Sequence, residues 1–186
     1  AAERNCAIAG SVAVCENGNY YNRFYFVHPD GTVQHYDKKH LFTFGGEHKR
    51  FTAGTERVVV NFRGVRILLE VCYDLRFPVW ARNLGDYDMI LYVASWPTPR
   101  VDAWSALLRA RAIENQCYVA GVNRMGVDPA CEYSGGSAII DPYGKTIAEC
   151  PWSRESAVSA DIDMEALQAF RKKFPVLDDA DPFTLI

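Results

Sequence analysis

The sequence predicts a mixed α/β fold with sheets covered by helices, and two observations carry that prediction. Before residue 72 and after residue 137, β-forming apolar segments come in pairs joined by Gly- or Pro-containing turns, while the stretch between them alternates strand with helix. Hairpins give antiparallel pairing and strand–helix units give parallel pairing, and each apolar sheet face then needs a helix or another sheet against it. A sandwich of two sheets between helices satisfies both requirements.

The elements follow in order. The chain begins at Ala1 and runs directly into an apolar stretch at 6–14. Segments 23–28 and 32–36 flank Pro29-Asp30-Gly31, where a fixed φ and a tolerated positive φ supply turn chemistry. Segments 57–62 and 65–72 join through Arg63-Gly64, and 137–141 and 145–149 through Pro142-Tyr143-Gly144. Cys72 closes a strand, residues 77–84 are expected to be helical, and 88–95 reads as a buried strand. Over 103–116, Leu107, Leu108, Ala110, Ala112 and Ile113 alternate with Arg109, Arg111 and Glu114, the pattern of a half-buried helix. Residues 117–123 read as a strand, 157–161 as a last strand, and 164–173 as a helix stopped before Pro175. With no Ser- or Gly-rich linker and no internal repeat, residues 1–186 read as one domain.

Composition excludes several classes. A net charge of −3, with Lys and Arg scattered among acids, gives no field to gather polyanions, so nucleic acid is not an expected partner. No apolar run reaches the roughly 20 residues of a membrane helix, and the N-terminus has no basic-then-apolar signal pattern, so a cytoplasmic protein with no membrane partner is expected. The cysteines form no CxxC pair and the histidines no HxxxH spacing, so neither a zinc site, a disulfide framework nor any other cofactor is expected.

The chemistry concentrates in two segments. In Val71-Cys72-Tyr73-Asp74-Leu75-Arg76-Phe77-Pro78 an apolar strand delivers a cysteine to its end and the chain turns into a short helix. That exposes a sulfur at a sheet rim beside backbone N–H groups, as a nucleophile with an oxyanion hole requires. Asp74 and Arg76 are placed to fix the turn. On residue chemistry alone, Cys72 is as easily a small buried hydrophobe. The second segment, Tyr36-Asp37-Lys38-Lys39-His40-Leu41-Phe42, sets Lys38 just past a hairpin strand, where an ammonium near a thiol would favour the thiolate and hold an oxyanion. The plainer fate of two adjacent lysines is solvation.

These two segments, with Gly46-Glu47, Phe51-Thr52-Ala53-Gly54, Tyr92-Val93-Ala94-Ser95-Trp96-Pro97 and 109–116, resemble the nitrilase superfamily in order and spacing, and specifically its omega-amidase branch. The resemblance implies an αββα four-layer sandwich, a Glu-Lys-Cys triad, a homodimer and hydrolysis of 2-oxoglutaramate-like 2-oxo acid monoamides. Matched motif by motif, it makes Cys72 the nucleophile, Lys38 rather than Lys39 the triad lysine, Glu47 a supporting carboxylate and the Tyr73 backbone N–H an oxyanion donor. The substrate carboxylate needs a cation, for which Arg100 and Arg124 are candidates, and Trp96 is a candidate pocket wall. The other readings are an amidase or nitrilase for another small linear amide, a non-catalytic protein acting by association, and, weakest, a redox protein.

One part of the pattern is missing. The triad glutamate, which in the family follows an early strand, has no match here, and no Pro-Glu pair occurs in the chain. The expectation is therefore an N-terminally incomplete domain that lacks the family's first strand and helix. General acid–base assistance is worth about 10²–10⁴ in rate, so such a piece would be a poor catalyst. Glu70, two residues before Cys72 and on the same strand face by alternation, is an internal substitute, with a salt bridge to Arg66 as its plainer role.

Overall fold

A computed structural model describes residues 1–184. Strands β1 (Ile8–Glu16) and β2 (Asn19–Val27) form a hairpin through Asn17-Gly18, both at positive φ (52° and 79°). Asn and Gly tolerate that region best, and such two-residue turns match the twist of the flanking strands. β3 (Val33–Asp37) adds to β2 and completes a three-stranded antiparallel sheet. β4 (Val59–Phe62) and β5 (Val65–Val71) turn at Arg63-Gly64. Helix α1 (Pro78–Ala81), β6 (Met89–Ala94), α2 (Val101–Glu114) and β7 (Tyr118–Asn123) follow, with β5, β6 and β7 parallel. β8 (Met125–Val127) and β9 (Glu132–Ser134) pair separately, β10 (Ala138–Ile140) and β11 (Thr146–Glu149) complete a six-stranded sheet of order β11-β10-β7-β6-β5-β4, and α3 (Met164–Lys173) comes last.

The period-2 pattern of β5 decides the layering. Ile67, Leu69 and Val71 face the three-stranded sheet, where they meet Phe24, Phe26 and Tyr36 in one core. Leu68 faces the other way and packs with Ile90, Tyr92 and Val119 against Trp104, Leu108 and Ala112 of α2. Burying each such side chain contributes about 1.5–3 kcal/mol, so both faces of the central strands hold the fold together. β7 and α2 meet closely at Gly121, where a Cβ would stand 2.5 Å from Leu108 and 2.8 Å from Trp104. The sequence led us to expect two sheets between helices, and the mixed α/β fold with facing sheets agrees with it.

Four local expectations are corrected. Residues 157–161 form no strand, since exposed β-forming residues without a ladder partner gain nothing from extension. Helix over 77–84 shrinks to Pro78–Ala81, because Asn83 donates its side-chain amide to the Tyr87 and Asn115 carbonyls and its N–H to Asn115 Oδ1, which draws the backbone out of the helix. Arg111 belongs to the buried face of α2 rather than the polar one: it donates to the Leu75 carbonyl (2.6 Å) and to Glu114 (2.7 Å). Arg66 pairs with Asp88 at 2.7 Å, not with Glu70. The β8–β9 hairpin had no sequence reading at all.

Candidate active site

The nucleophile segment is built by the end of β5. At Cys72 the chain leaves the strand with φ 49° and enters a 3-10 turn over Cys72–Arg76. A non-glycine residue in the left-handed region costs on the order of 1–2 kcal/mol and persists only where surroundings fix it. Asp74 does so: its Oδ2 accepts the Val71 N–H at 3.0 Å. Cys72 stays partly exposed, its Sγ 3.9 Å from the carbonyl oxygen of Ser95, just past β6. Because Cys72 has left strand geometry, alternation does not carry over from Glu70. Glu70 is fully buried on the α2 side, does not line the pocket, and has no partner for either carboxyl oxygen among the described residues.

The lysine segment starts at the end of β3. Lys38 is 3% exposed, and its Nζ donates to Glu47 Oε2 at 2.6 Å. The same oxygen accepts the Phe42 N–H (2.6 Å), and Asn22 Nδ2 donates to Oε1 (3.1 Å). The Lys38 backbone is pinned twice, donating to the Asn22 carbonyl (3.0 Å) and accepting from the Gly54 N–H (2.9 Å). Gly54 allows that approach, since a Cβ there would stand 2.0 Å from the Asp37 carbonyl oxygen. Lys39 points elsewhere, its ammonium 5.3 Å from the Trp80 ring centroid. Asn22 was invisible in the sequence, since nothing local marks a strand asparagine as the partner of a glutamate 25 residues on.

Cys72, Lys38, Glu47, Tyr73, Trp96 and Arg100 all line one cavity of about 550 Å³, a size suited to a small molecule. Arg76 and Arg124 line it too, whereas Glu47 is the one carboxylate among its described lining residues. Three arginines sit over rings: Arg76 over Trp96 (5.0 Å), Arg100 over Phe42 (5.4 Å) and Arg124 over Tyr133 (4.3 Å). Trp96 is held by Asn123, which accepts its N–H (2.7 Å) and donates to its carbonyl (3.0 Å), and its indole donates to the Arg100 carbonyl (2.7 Å). Among the described residues no three His, Cys, Asp or Glu side chains converge as metal ligands would.

Electrostatics modify the expectation of an ionised sulfur. Burial pushes the Cys72 thiol above its ordinary value, and Lys38 pulls it down without overcoming burial. At neutral pH the resting group is a thiol whose proton must leave during attack. For Glu47, burial raises the carboxyl, but Lys38, the Phe42 N–H and Asn22 together hold it below the ordinary carboxylate range. Glu47 therefore meets Lys38 as a carboxylate.

Comparison with known proteins points to one family. The family model for carbon-nitrogen hydrolase matches residues 1–172. The omega-amidase YafV of Escherichia coli (strain K12) is 54% identical over 182 residues, 97% of this chain and 71% of that protein. A 2-oxoglutaramate amidase of Bacillus subtilis (strain 168) is 42% identical over 175 residues, 92% of this chain and 67% of that one. A CN-hydrolase superfamily protein of Xanthomonas campestris, whose crystal structure carries an arsenic adduct in the active site, superposes with a TM-score of 0.94 at 47% identity, over 97% of this chain and 71% of that one. The chain belongs to the carbon-nitrogen hydrolase family.

Proposed function

We propose that this chain is an omega-amidase, a thiol-dependent hydrolase that releases ammonia from the ω-amide of a 2-oxo acid monoamide such as 2-oxoglutaramate. The observation that carries the reading is the pocket itself, in which Cys72 and the Lys38–Glu47 pair meet three arginines whose side chains lie over aromatic rings. An anionic substrate would be drawn in by the arginines, and its carboxylate suits the planar fork of Arg100 or Arg76. Two relatives whose names describe omega-amide and 2-oxoglutaramate hydrolysis support the same substrate class.

In this reading the Cys72 sulfur forms a bond to the amide carbon as its proton passes to the amide nitrogen, the C=O π bond opens, and the carbonyl oxygen gains the charge. The Lys38 ammonium and the Tyr73 backbone N–H stabilise that oxyanion. Collapse of the adduct expels ammonia and leaves a thioester, which water cleaves to the dicarboxylate and free thiol. Glu47, engaged by Lys38, Phe42 and Asn22, supports the lysine rather than abstracting the thiol proton. Trp96, held by Asn123, walls the pocket. No helix among the described residues is long and apolar enough to cross a membrane. We place the enzyme in the cytoplasm, where six free cysteines stay reduced. Exposed Tyr143 and Phe174 around Phe170 support its working as a homodimer.

The test is ammonia release on 2-oxoglutaramate against glutamine and simple nitriles. The expected result is selective turnover of the 2-oxo acid amide, abolished by Cys72→Ala. Release that survives Cys72→Ala, or equal rates on all three substrates, overturns the reading.

A further inference from the structure

Between the lysine and nucleophile segments lies a buried hydrogen-bond cluster to which the reaction steps above assign no role. Asp74, wholly buried, accepts the Tyr36 hydroxyl (2.8 Å) and the Val71 N–H (3.0 Å) at Oδ2, and the His40 N–H (2.9 Å) at Oδ1, with His40 Nδ1 2.8 Å from the same oxygen. Tyr36 and His40 stand two residues before and two after Lys38, and Asp74 two residues after Cys72. Capping the Cys72 turn needs only the Val71 N–H. The bonds to partners 34 and 38 residues away serve another purpose. The far side is itself braced: His40 stacks on Phe77 at 3.8 Å and 6°, and the Tyr36 oxygen accepts the Lys39 N–H at 3.0 Å.

We propose that Asp74 is a positioning residue which, through Tyr36 and His40, fixes the Lys38 strand end against the Cys72 turn and so sets the geometry of attack. One carboxylate joins two segments that the sequence keeps more than thirty residues apart, and so fixes the Lys38 segment, held within itself by Glu47, Asn22 and Gly54, against the Cys72 turn. The charges that act on that sulfur are Lys38, Glu47 and Asp74, with Arg76, Arg100 and Arg124 lining the same pocket.

The effect on turnover rests on the amidase reading, so the test adds a readout that needs no amide. In the full chain, Tyr36→Phe deletes one bond to Asp74, and His40→Phe deletes the ring bond while keeping a ring to stack on Phe77. Both spare the Val71 cap. Steady-state ammonia release would give kcat and KM, and peptide mass spectrometry would follow iodoacetamide labelling of Cys72 against pH. Each variant is expected to lower kcat by about tenfold with KM within about twofold, since small misplacements of catalytic groups carry rate costs of that order and above. The labelling midpoint of Cys72 moves upward, because the ammonium that draws the thiol down is held less closely. Asp74→Asn, which keeps the shape but accepts through one oxygen only, should exceed both. A lowered melting temperature with kcat and the labelling midpoint at parent values in both variants overturns the proposal, whether or not Asp74→Asn folds. If the parent releases no ammonia, the functional reading fails, and the labelling midpoint still decides the clamp.

Discussion

Two carboxylates, Glu70 and Asp74, lie four residues apart, both fully buried, and the protein treats them in opposite ways. Asp74 takes hydrogen bonds from Tyr36, Val71 and His40 and ties the active-site halves together. Glu70 sits across from Tyr92 in the parallel ladder, on the helix-covered face, and neither of its oxygens nor the Tyr92 hydroxyl finds a partner among the described residues. Burial, and then the neighbouring Asp74, push the Glu70 carboxyl well above its ordinary range, against the pull of Arg57 and Arg111. Burial alone therefore says little about what a carboxylate does. The partner set separates a positioning group from a neutralised passenger in a core.

The largest expected effect comes from Asp74→Ala, which strands the Tyr36 hydroxyl and the Val71 and His40 N–H groups. At about 1–3 kcal/mol for each buried group left unpaired, the loss should total about 3–9 kcal/mol. Differential scanning calorimetry should then find Tm lower by roughly 10 °C or more. A fall of only a degree or two would mean that water replaces the carboxylate easily.

Glu70→Leu goes the other way. Removing an unpartnered polar group from an apolar face should add about 1–3 kcal/mol, seen as a rise in the urea midpoint without a change in slope. A fall instead would place Glu70 in a productive ion pair with Arg57 or Arg111. Acid and base titration of stability refines the same contrast. The folded-state affinity of Glu70 for its proton exceeds the unfolded one, so its contribution is fully present below about pH 4.3 and lost as pH rises toward the folded value. Glu70→Gln, which cannot ionise, should match the parent near pH 4 and pull ahead as pH increases. Parallel curves for parent and variant would show that Glu70 titrates normally.

The smallest expected effect is at Asn22, the third donor to Glu47. Asn22→Ala should lower kcat/KM severalfold and move the acid limb of the rate profile upward by less than about one pH unit, because Lys38 and the Phe42 N–H remain. An unchanged acid limb would show that this limb does not report Glu47.

Much of the site was legible in the chain. Apolar alternation placed Cys72 at a strand end, the segment around Lys38 put a cation just past a hairpin, and both line one pocket. The Arg100 and Trp96 expectations also landed on its wall. Other features were not legible, for identifiable reasons. Arg111 looked like a solvent-facing charge because its acceptor, the Leu75 carbonyl, lies 36 residues away. Glu70 looked like a neighbour of the sulfur because alternation holds only while the strand lasts, and the strand ends at Val71.

The sequence by itself determined the β-forming runs, the turns at Pro29-Asp30-Gly31 and Arg63-Gly64, and the motifs that carry the thiol and the lysine, since periodicity and turn chemistry are local properties. Only the tertiary structure decided that the resting sulfur is a thiol, that Asn22 and Phe42 share Glu47 with Lys38, and that Asp74 rather than Glu70 serves the site. Desolvation and hydrogen-bond pairing depend on which groups the fold brings within about 3 Å, and those partners lie tens of residues apart along the chain.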